Sequence, residues 1–267
     1  MDPIPSSDTF YQRFGNYYRR FIVPHSVKKS KAIITVSEFE KTRILNRLKI
    51  EDDKIHVIYN GVSPIFNTAR NVTKEENVVA KYQLPKEYIL FLGNTSVRKN
   101  PVRVIEAYLL YLTQDKNPYP IVTPGLNREF ITDILKKHNQ LKYDYLFITP
   151  GYIDRGDLPT LYSLSKLFLF PSLAEGFGMP VIEAMASGTP VITSNTSSLP
   201  EISGAAAHLV NPLNVQEIAH SINYILSNWE VQQNLINLGK IQASKFDWKI
   251  TAEKTLELYE KIHTNKN

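Results

Sequence analysis

The stretch Leu167-Phe-Leu-Phe-Pro-Ser-Leu-Ala-Glu175-Gly-Phe-Gly-Met-Pro180-Val-Ile-Glu183 decides how the rest of the chain is read. Its apolar opening, Leu167–Phe170, reads as a strand. The Pro171–Gly178 segment reads as a loop, and Pro180 suits a first helical position because its missing N–H leaves no bond unmade there. A strand, a glycine-bearing loop and a helix, in that order, form the start of a βα unit.

The same alternation extends outward in both directions. Short β-branched runs predict further strands at Ala32–Val36, His56–Tyr59, Tyr88–Leu92, Pro120–Thr123, Tyr145–Thr149, Val191–Ser194 and His208–Val210. Helices are expected at Glu38–Leu48, Pro101–Leu112, Arg128–Lys136, Leu158–Ser165, Pro180–Ser187, Val215–Asn228, Val231–Ser244 and Trp248–His263. Ser37 followed three residues later by Glu40 forms a capping-box pattern, and Pro101 suits a helix start. The order predicts an α/β fold with a doubly wound, Rossmann-like parallel sheet. Asn60–Ala80, with its Gly, Pro and several Asn and Thr, reads as a linker.

Composition narrows the class. A chain of 267 residues with 43% apolar content can bury a sizeable core. It has no run of 18 apolar residues and no signal-peptide pattern at its start, so a soluble, cytoplasmic protein is expected. With no cysteine, disulfides, thiolate metal ligands and a cysteine nucleophile are excluded. The net charge of +5 is a modest excess, compatible with polyanions, anionic lipid heads or phosphorylated small molecules, or with an ordinary basic surface. It lacks a recognised nucleic-acid motif, so no nucleic-acid partner is expected. Arg13, Arg19, Arg20, Lys28, Lys29 and Lys31 interleave with Tyr11, Phe14, Tyr17, Tyr18 and Phe21. That mixture suits peripheral contact with the inner face of a membrane, or a helix whose aromatic face packs on something outside this chain; the second reading is preferred.

In open parallel sheets ligands bind beyond the carboxyl ends of the strands, so the strand-to-helix loops carry the chemistry. After Leu92 comes Gly93-Asn94-Thr-Ser-Val-Arg98-Lys99-Asn-Pro101. Gly93 lets backbone approach a ligand, Asn94 and the hydroxyls can donate, and two cations precede a helix whose first amides are free. This suits a diphosphate cradle with Lys99 as a point charge and Arg98 beside it or on the surface; the alternative is a polar loop ending in a capped helix. In the second loop Gly176, Phe177 and Gly178 expose backbone N–H groups, Glu175 can accept from sugar hydroxyls, and Glu183 can accept two bonds from a ribose diol. The alternative for Glu183 is a first-turn acid that complements the helix dipole. The third loop, Asn195-Thr-Ser-Ser-Leu-Pro200-Glu201, suits either a sugar or phosphate contact or a plain ST-turn and N-cap. No His lies in a strand-end loop, so no general base is assigned.

These residues resemble the retaining glycosyltransferases of group 1, family 4, which have the two-domain GT-B fold. The resemblance rests on the E-x7-E element Glu175–Glu183 and its continuation Ala184-Met-Ala-Ser-Gly-Thr-Pro-Val-Ile-Thr-Ser-Asn195. Gly61, Ile33-Ile-Thr-Val-Ser37, Gly151 with Asp157-Leu-Pro-Thr-Leu-Tyr162, and Phe246-Asp-Trp248 extend it over residues 30–260. It implies that Lys99 meets the donor diphosphate, Glu183 the ribose, and Glu175 with the Gly176–Gly178 backbone the transferred sugar. Tyr152 and Ile153 fall where the base should lie. It also implies transfer with retained configuration and neither a metal nor another cofactor. Gly93-Asn94 departs from the family's Gly-Arg, removing one phosphate cation that Arg98 partly replaces.

The implied domains are a 1–30 remnant of an acceptor domain, a 31–80 crossover and linker, an 81–245 nucleotide-sugar-binding domain and a 246–267 C-terminal helix. Only 30 residues precede the Ile-Ile-Thr-Val-Ser segment, with Met1-Asp2-Pro3-Ile4-Pro5 similar to the sequence around a late His-Asp element. The N-terminal Rossmann domain is therefore expected to be largely missing, by truncation, a split gene or a separate donor-binding subunit. The expected activity is hexosyl transfer from a nucleotide sugar, GDP-mannose by resemblance to mannosyltransferase branches, to a glycan or lipid-linked acceptor in polysaccharide or glycolipid synthesis. The alternative is a non-catalytic nucleotide-sugar-binding module, or one subunit working with a separate N-terminal chain.

Overall fold

A computed structural model of the chain describes residues 18–67 and 71–264. The expectations for Met1–Pro5, Tyr11, Arg13, Phe14 and Tyr17 lie outside the described residues. The chain divides into a smaller unit, up to Ile58 and from Lys254 on, and a larger one, Tyr59–Glu253. The larger unit begins and ends outside the expected 81–245 limits. Among the described residues no helix is long and apolar enough to cross a membrane.

In the smaller unit, helix α1 (Val23–Lys29) precedes strand β1 (Ile33–Thr35), helix α2 (Glu38–Leu48) and strand β2 (Ile55–Val57). β1 and β2 pair in parallel, Ile34 opposite His56. The Ser37 cap forms as expected: its hydroxyl accepts from the Glu40 amide at 3.1 Å. Tyr18 and Phe21 are exposed.

The larger unit opens with helix α3 (Val72–Tyr82), where the sequence suggested a linker. Asn71 caps it by accepting from the Lys74 amide, and Val78 and Tyr82 are its buried residues. One amphipathic face was thus enough to order a polar segment, because those two side chains close over the core. Then follow β3 (Tyr88–Leu90), α4 (Pro101–Gln114), β4 (Ile121–Val122), α5 (Arg128–Lys137), β5 (Phe147–Ile148) and α6 (Leu158–Ser163). After these come β6 (Ser165–Phe170), α7 (Met179–Ala186), β7 (Val191–Ser194), α8 (Leu199–Ser203), β8 (His208–Val210), α9 (Val215–Ser227) and α10 (Trp229–Ala243), and α11 (Trp248–Thr264) begins in this unit and belongs to the smaller one from Lys254 on. Residues Leu141–Leu146, expected in part as strand, form a 3₁₀ turn.

β3 to β8 make one parallel sheet in the order β5-β4-β3-β6-β7-β8. The strand order reverses direction between β3 and β6, which are neighbours, and this switch point is where such sheets open a crevice. Both faces are covered. Ile89, Leu167, Leu169 and Ile192 point into one apolar cluster with α4, α5 and α9, whereas Leu90, Phe168, Phe170 and Val191 join another with α3, α6 and α7. Strands buried on both sides read as continuous apolar runs, which is why they were visible in the sequence.

Candidate functional site

The loops after β3 and β6 flank the switch point and are tied together. The amide of Leu173 donates to the carbonyl of Arg98 at 2.9 Å. Asn100, buried and left-handed at φ 60°, donates through Nδ2 to the carbonyls of Pro171 and Pro212. It precedes α4 without capping it through its side chain, so the first loop is not a simple capped start. Sequence reasoning passed over Asn100. The signal was present in Asn-Pro at a helix start, but the carbonyls it serves lie 71 and 112 residues away.

Lys99 and Arg98 both reach Glu175. Lys99 Nζ is 2.7 Å from Glu175 Oε1 and Arg98 Nη1 is 2.6 Å from Oε2, while Arg98 also donates to the Ala174 carbonyl. The Lys99 ammonium stands over the face of Phe170, 4.5 Å from the ring centre. Two cations on one carboxylate leave a single positive charge at the crevice, suited to a phosphate. Asn94 folds its own loop: its side-chain oxygen accepts from the Ser96 amide.

Leu92, Gly93, Asn94, Lys99, Pro124, Gly125, Gly151, Tyr152, Ile153 and Leu158 surround a recess of about 340 Å³. Gly93, Asn94, Lys99, Tyr152 and Ile153 thus line one recess, together with the Pro124-Gly125 turn after β4, a strand-end Pro-Gly that the sequence displayed without singling out. Tyr152 stands exposed at the rim; Ile153 is buried beneath it. A Cβ on Gly125 would fall 1.8 Å from the Gly93 carbonyl oxygen, so only glycine lets these two loops meet. A second recess of about 430 Å³ lies near the opposite strand ends, beside Ser165 and Pro190, and none of the candidate loops reaches it.

The Gly-Phe-Gly segment is held from below. Phe177 is buried, with its ring against Tyr59 and Phe246, so only its backbone is available to a ligand. This accounts for Phe246 in the closing Phe-Asp-Trp element. Gly178, at φ 109°, caps α7, and Pro180 takes the second helical position rather than the first. The third loop supports the second: Ser197 Oγ accepts from the Glu175 amide, and Ser198 Oγ donates to the carbonyls of Glu175 and Phe177. Those hydroxyls therefore position backbone, and Ser198 makes no side-chain cap for α8.

Glu183 does not line the recess, and it lies past the first turn of α7, which contains no acid; the dipole-complement reading is thereby set aside. Its carboxylate accepts from the buried hydroxyl of Tyr162 at 3.1 Å. Burial pushes its pKa upward, opposed by that hydrogen bond and by the Arg155 guanidinium, two residues after Ile153. The Tyr162 hydroxyl is itself pushed well up by burial. None of the six histidines sits in these loops; His138 ends α5 beside Glu106 and His208 opens β8.

The family model "Glycosyl transferases group 1" matches residues 73–242, and "Glycosyltransferase Family 4" matches residues 3–65. An O-antigen chain mannosyltransferase B of Escherichia coli is 31% identical over 242 residues, covering 88% of this chain; the chain spans 61% of that relative's length. A glycosyltransferase structure from Rickettsia africae aligns over 99% of this chain and 69% of its own, with TM-score 0.78 and 24% identity. An Anabaena protein solved with UDP and glucose aligns over 94% and 69%, with TM-score 0.74 and 20% identity. These two likenesses speak to the GT-B fold. With a family model spanning more than half its length and a parallel sheet in Rossmann order, this chain belongs to the group 1 glycosyl transferases.

Proposed function

We propose that the larger unit is the donor half of a sugar-transferring site, for a nucleoside-diphosphate hexose with GDP-mannose as the donor. The observation that carries this is the meeting of Lys99, Arg98 and Glu175 at the switch point, beside a recess walled by glycine backbone. Lys99 neutralises the diphosphate, Glu183 accepts from the ribose diol, and Glu175 with the Gly176–Gly178 backbone holds the hexose. Tyr152 and Ile153 bound the base. The bond from the anomeric carbon to the diphosphate breaks, and a bond to an acceptor hydroxyl forms on the same face. The hydroxyl proton leaves with solvent or the departing diphosphate. Lys99, Arg98 and the positive N-terminal end of α7 stabilise the charge on that leaving group, so the reaction proceeds without a metal. The acceptor is a glycan or a lipid-linked sugar of a surface polysaccharide or glycolipid, met on the cytoplasmic side. The mannosyltransferase relative supports the choice of hexose.

Calorimetric titration with GDP, UDP and ADP tests the donor site: GDP is expected to bind most tightly, and the absence of binding by all three overturns the reading. Hydrolysis or transfer of GDP-mannose by the 267-residue chain marks an enzyme. Activity that needs a second polypeptide marks one half of a split enzyme, and binding without either marks a module that only holds the donor.

A further inference from the structure

The loop Gly151–Asp157 forms one wall of the recess and makes a turn of its own, the Asp157 amide donating to the Asp154 carbonyl at 2.9 Å. Gly151 lies at φ 78° with open space where a Cβ would stand, and Gly156 is equally open. Asp154 and Arg155 are exposed. A segment with a glycine near each end retains backbone freedom unless something outside restrains it.

That restraint comes from α3. Lys81 Nζ is 2.6 Å from Asp154 Oδ2 and 2.7 Å from Asp157 Oδ2. The Tyr82 hydroxyl donates to Asp157 Oδ2 at 2.9 Å and accepts from the Asp154 amide at 3.0 Å. One turn from the start of the helix, Lys74 Nζ donates to the Gly156 carbonyl at 2.9 Å. The Asp157 carboxyl is held below its usual value, first of all by the hydrogen bond from Lys81. Below these polar ties, Tyr82 and Ile153 share one apolar cluster. Asp154, Gly156 and Asp157 are thus each fastened to one helix, and Tyr152 and Ile153, which face the recess together with Gly151, stand directly before them.

We propose that Lys81 and Tyr82 are positioning residues for the nucleotide: they clamp the Gly151–Asp157 loop from behind, so that Tyr152 and Ile153 stand ready for the base. The inference rests on the donor-site reading above. A ligand that must first order its own wall binds more weakly in proportion to the fraction of time the wall is formed. Lys81 is solvated and contributes little to global stability, so its loss is expected to be felt in nucleotide affinity rather than in folding.

The test is calorimetric titration of GDP and UDP into the parent chain and into Lys81→Ala, Tyr82→Phe and Lys81→Arg, with Tm recorded for each. In Lys81→Ala the GDP affinity is expected to fall by about tenfold, as for a wall formed about one-tenth of the time. The preference for GDP over UDP is expected to narrow and Tm to stay close to the parent's. Tyr82→Phe keeps the buried ring and gives a smaller loss of the same kind, and Lys81→Arg recovers most of the affinity. GDP affinities within twofold of the parent in both Lys81→Ala and Tyr82→Phe overturn the clamp. So does a loss that tracks a fall in Tm, leaves the GDP-to-UDP ratio unchanged and is not recovered by Lys81→Arg. A parent chain that binds neither nucleotide overturns the donor reading and the clamp with it, whereas binding by the parent with indifferent variants overturns the clamp alone.

Discussion

Lys99 Nζ and Glu175 Oε1 lie 2.7 Å apart, so the cation ending one loop is held by the carboxylate of the next, 76 residues along the chain. Both side chains are mostly buried, and Arg98 occupies the second carboxylate oxygen. Lys99 is therefore oriented toward the crevice before any phosphate arrives, at the cost of having its charge shared. A Glu175→Gln variant releases that charge. Its GDP affinity is expected to equal or exceed the parent's, while transfer from GDP-mannose is expected to fall by about 100-fold or more, since the proposed role makes Glu175 a charged acceptor for the sugar. Calorimetry and a donor-turnover assay check this; weakened GDP binding with intact transfer refutes the assignment.

Glu183 predicts a pH dependence whose sign follows from burial. Its carboxyl is raised above the ordinary 4.5, first by desolvation. A carboxyl raised in the folded state costs stability when ionised; the cost is absent below the unfolded value and grows as pH rises through the folded one. Glu183→Gln, which can still accept from Tyr162, is therefore expected to raise Tm at pH 7. On the proposed ribose role, the same change is expected to weaken nucleotide binding by about 10- to 100-fold, through loss of a charged acceptor. Parent affinity falls on acidification through the raised pKa, and the variant's affinity does not. A variant with lower Tm and unchanged GDP affinity contradicts both parts.

Asn100→Ala tests the tie between the loops. The carbonyls of Pro171 and Pro212 lose a buried donor, about 1–3 kcal/mol each, and alanine is strained at φ 60°. A destabilisation of about 3–5 kcal/mol is expected, lowering Tm by about 10 °C by thermal unfolding. Asn100→Gly recovers only the backbone part, about 1 kcal/mol. Equal stability of the parent and Asn100→Ala would show that the two carbonyls do not depend on it.

Gly125→Ala tests the recess. Its methyl group would meet the Gly93 carbonyl, a backbone atom that has to move for it. GDP affinity is expected to drop by about tenfold or more, one power of ten for each ~1.4 kcal/mol of misfit. Gly156→Ala enters open space at an ordinary φ and is expected to change stability by no more than about 0.5 kcal/mol. Indistinguishable GDP titrations for Gly125→Ala and the parent contradict this account.

Much of the fold was legible because buried parallel strands advertise themselves. Val191–Ser194 and His208–Val210 have the limits the sequence suggested, as does helix Glu38–Leu48 with its Ser37 cap. The Ser37 cap formed as its local pattern suggested, whereas Pro180 stands one position later in its helix than its own signal implied. Helix α3 was missed because Asn71-Val-Thr-Lys-Glu-Glu-Asn is polar almost throughout, and its order comes from the burial of Val78 and Tyr82 against distant residues. Pro120–Thr123 and Tyr145–Thr149 shrank to two residues each, since only the paired part of an apolar run is strand.

The sequence by itself determined the βα order, the glycine-bearing loops and the residue types at the crevice, because strand burial, helix starts and tight turns depend on near neighbours. Tertiary structure alone decided the partners: Glu175 for Lys99 and Arg98, Tyr162 for Glu183, Asn100 for two remote carbonyls, and Lys81 for Asp154 and Asp157. Each of those bonds joins chain segments 21 to 112 residues apart, and only the winding of the parallel sheet sets their distance.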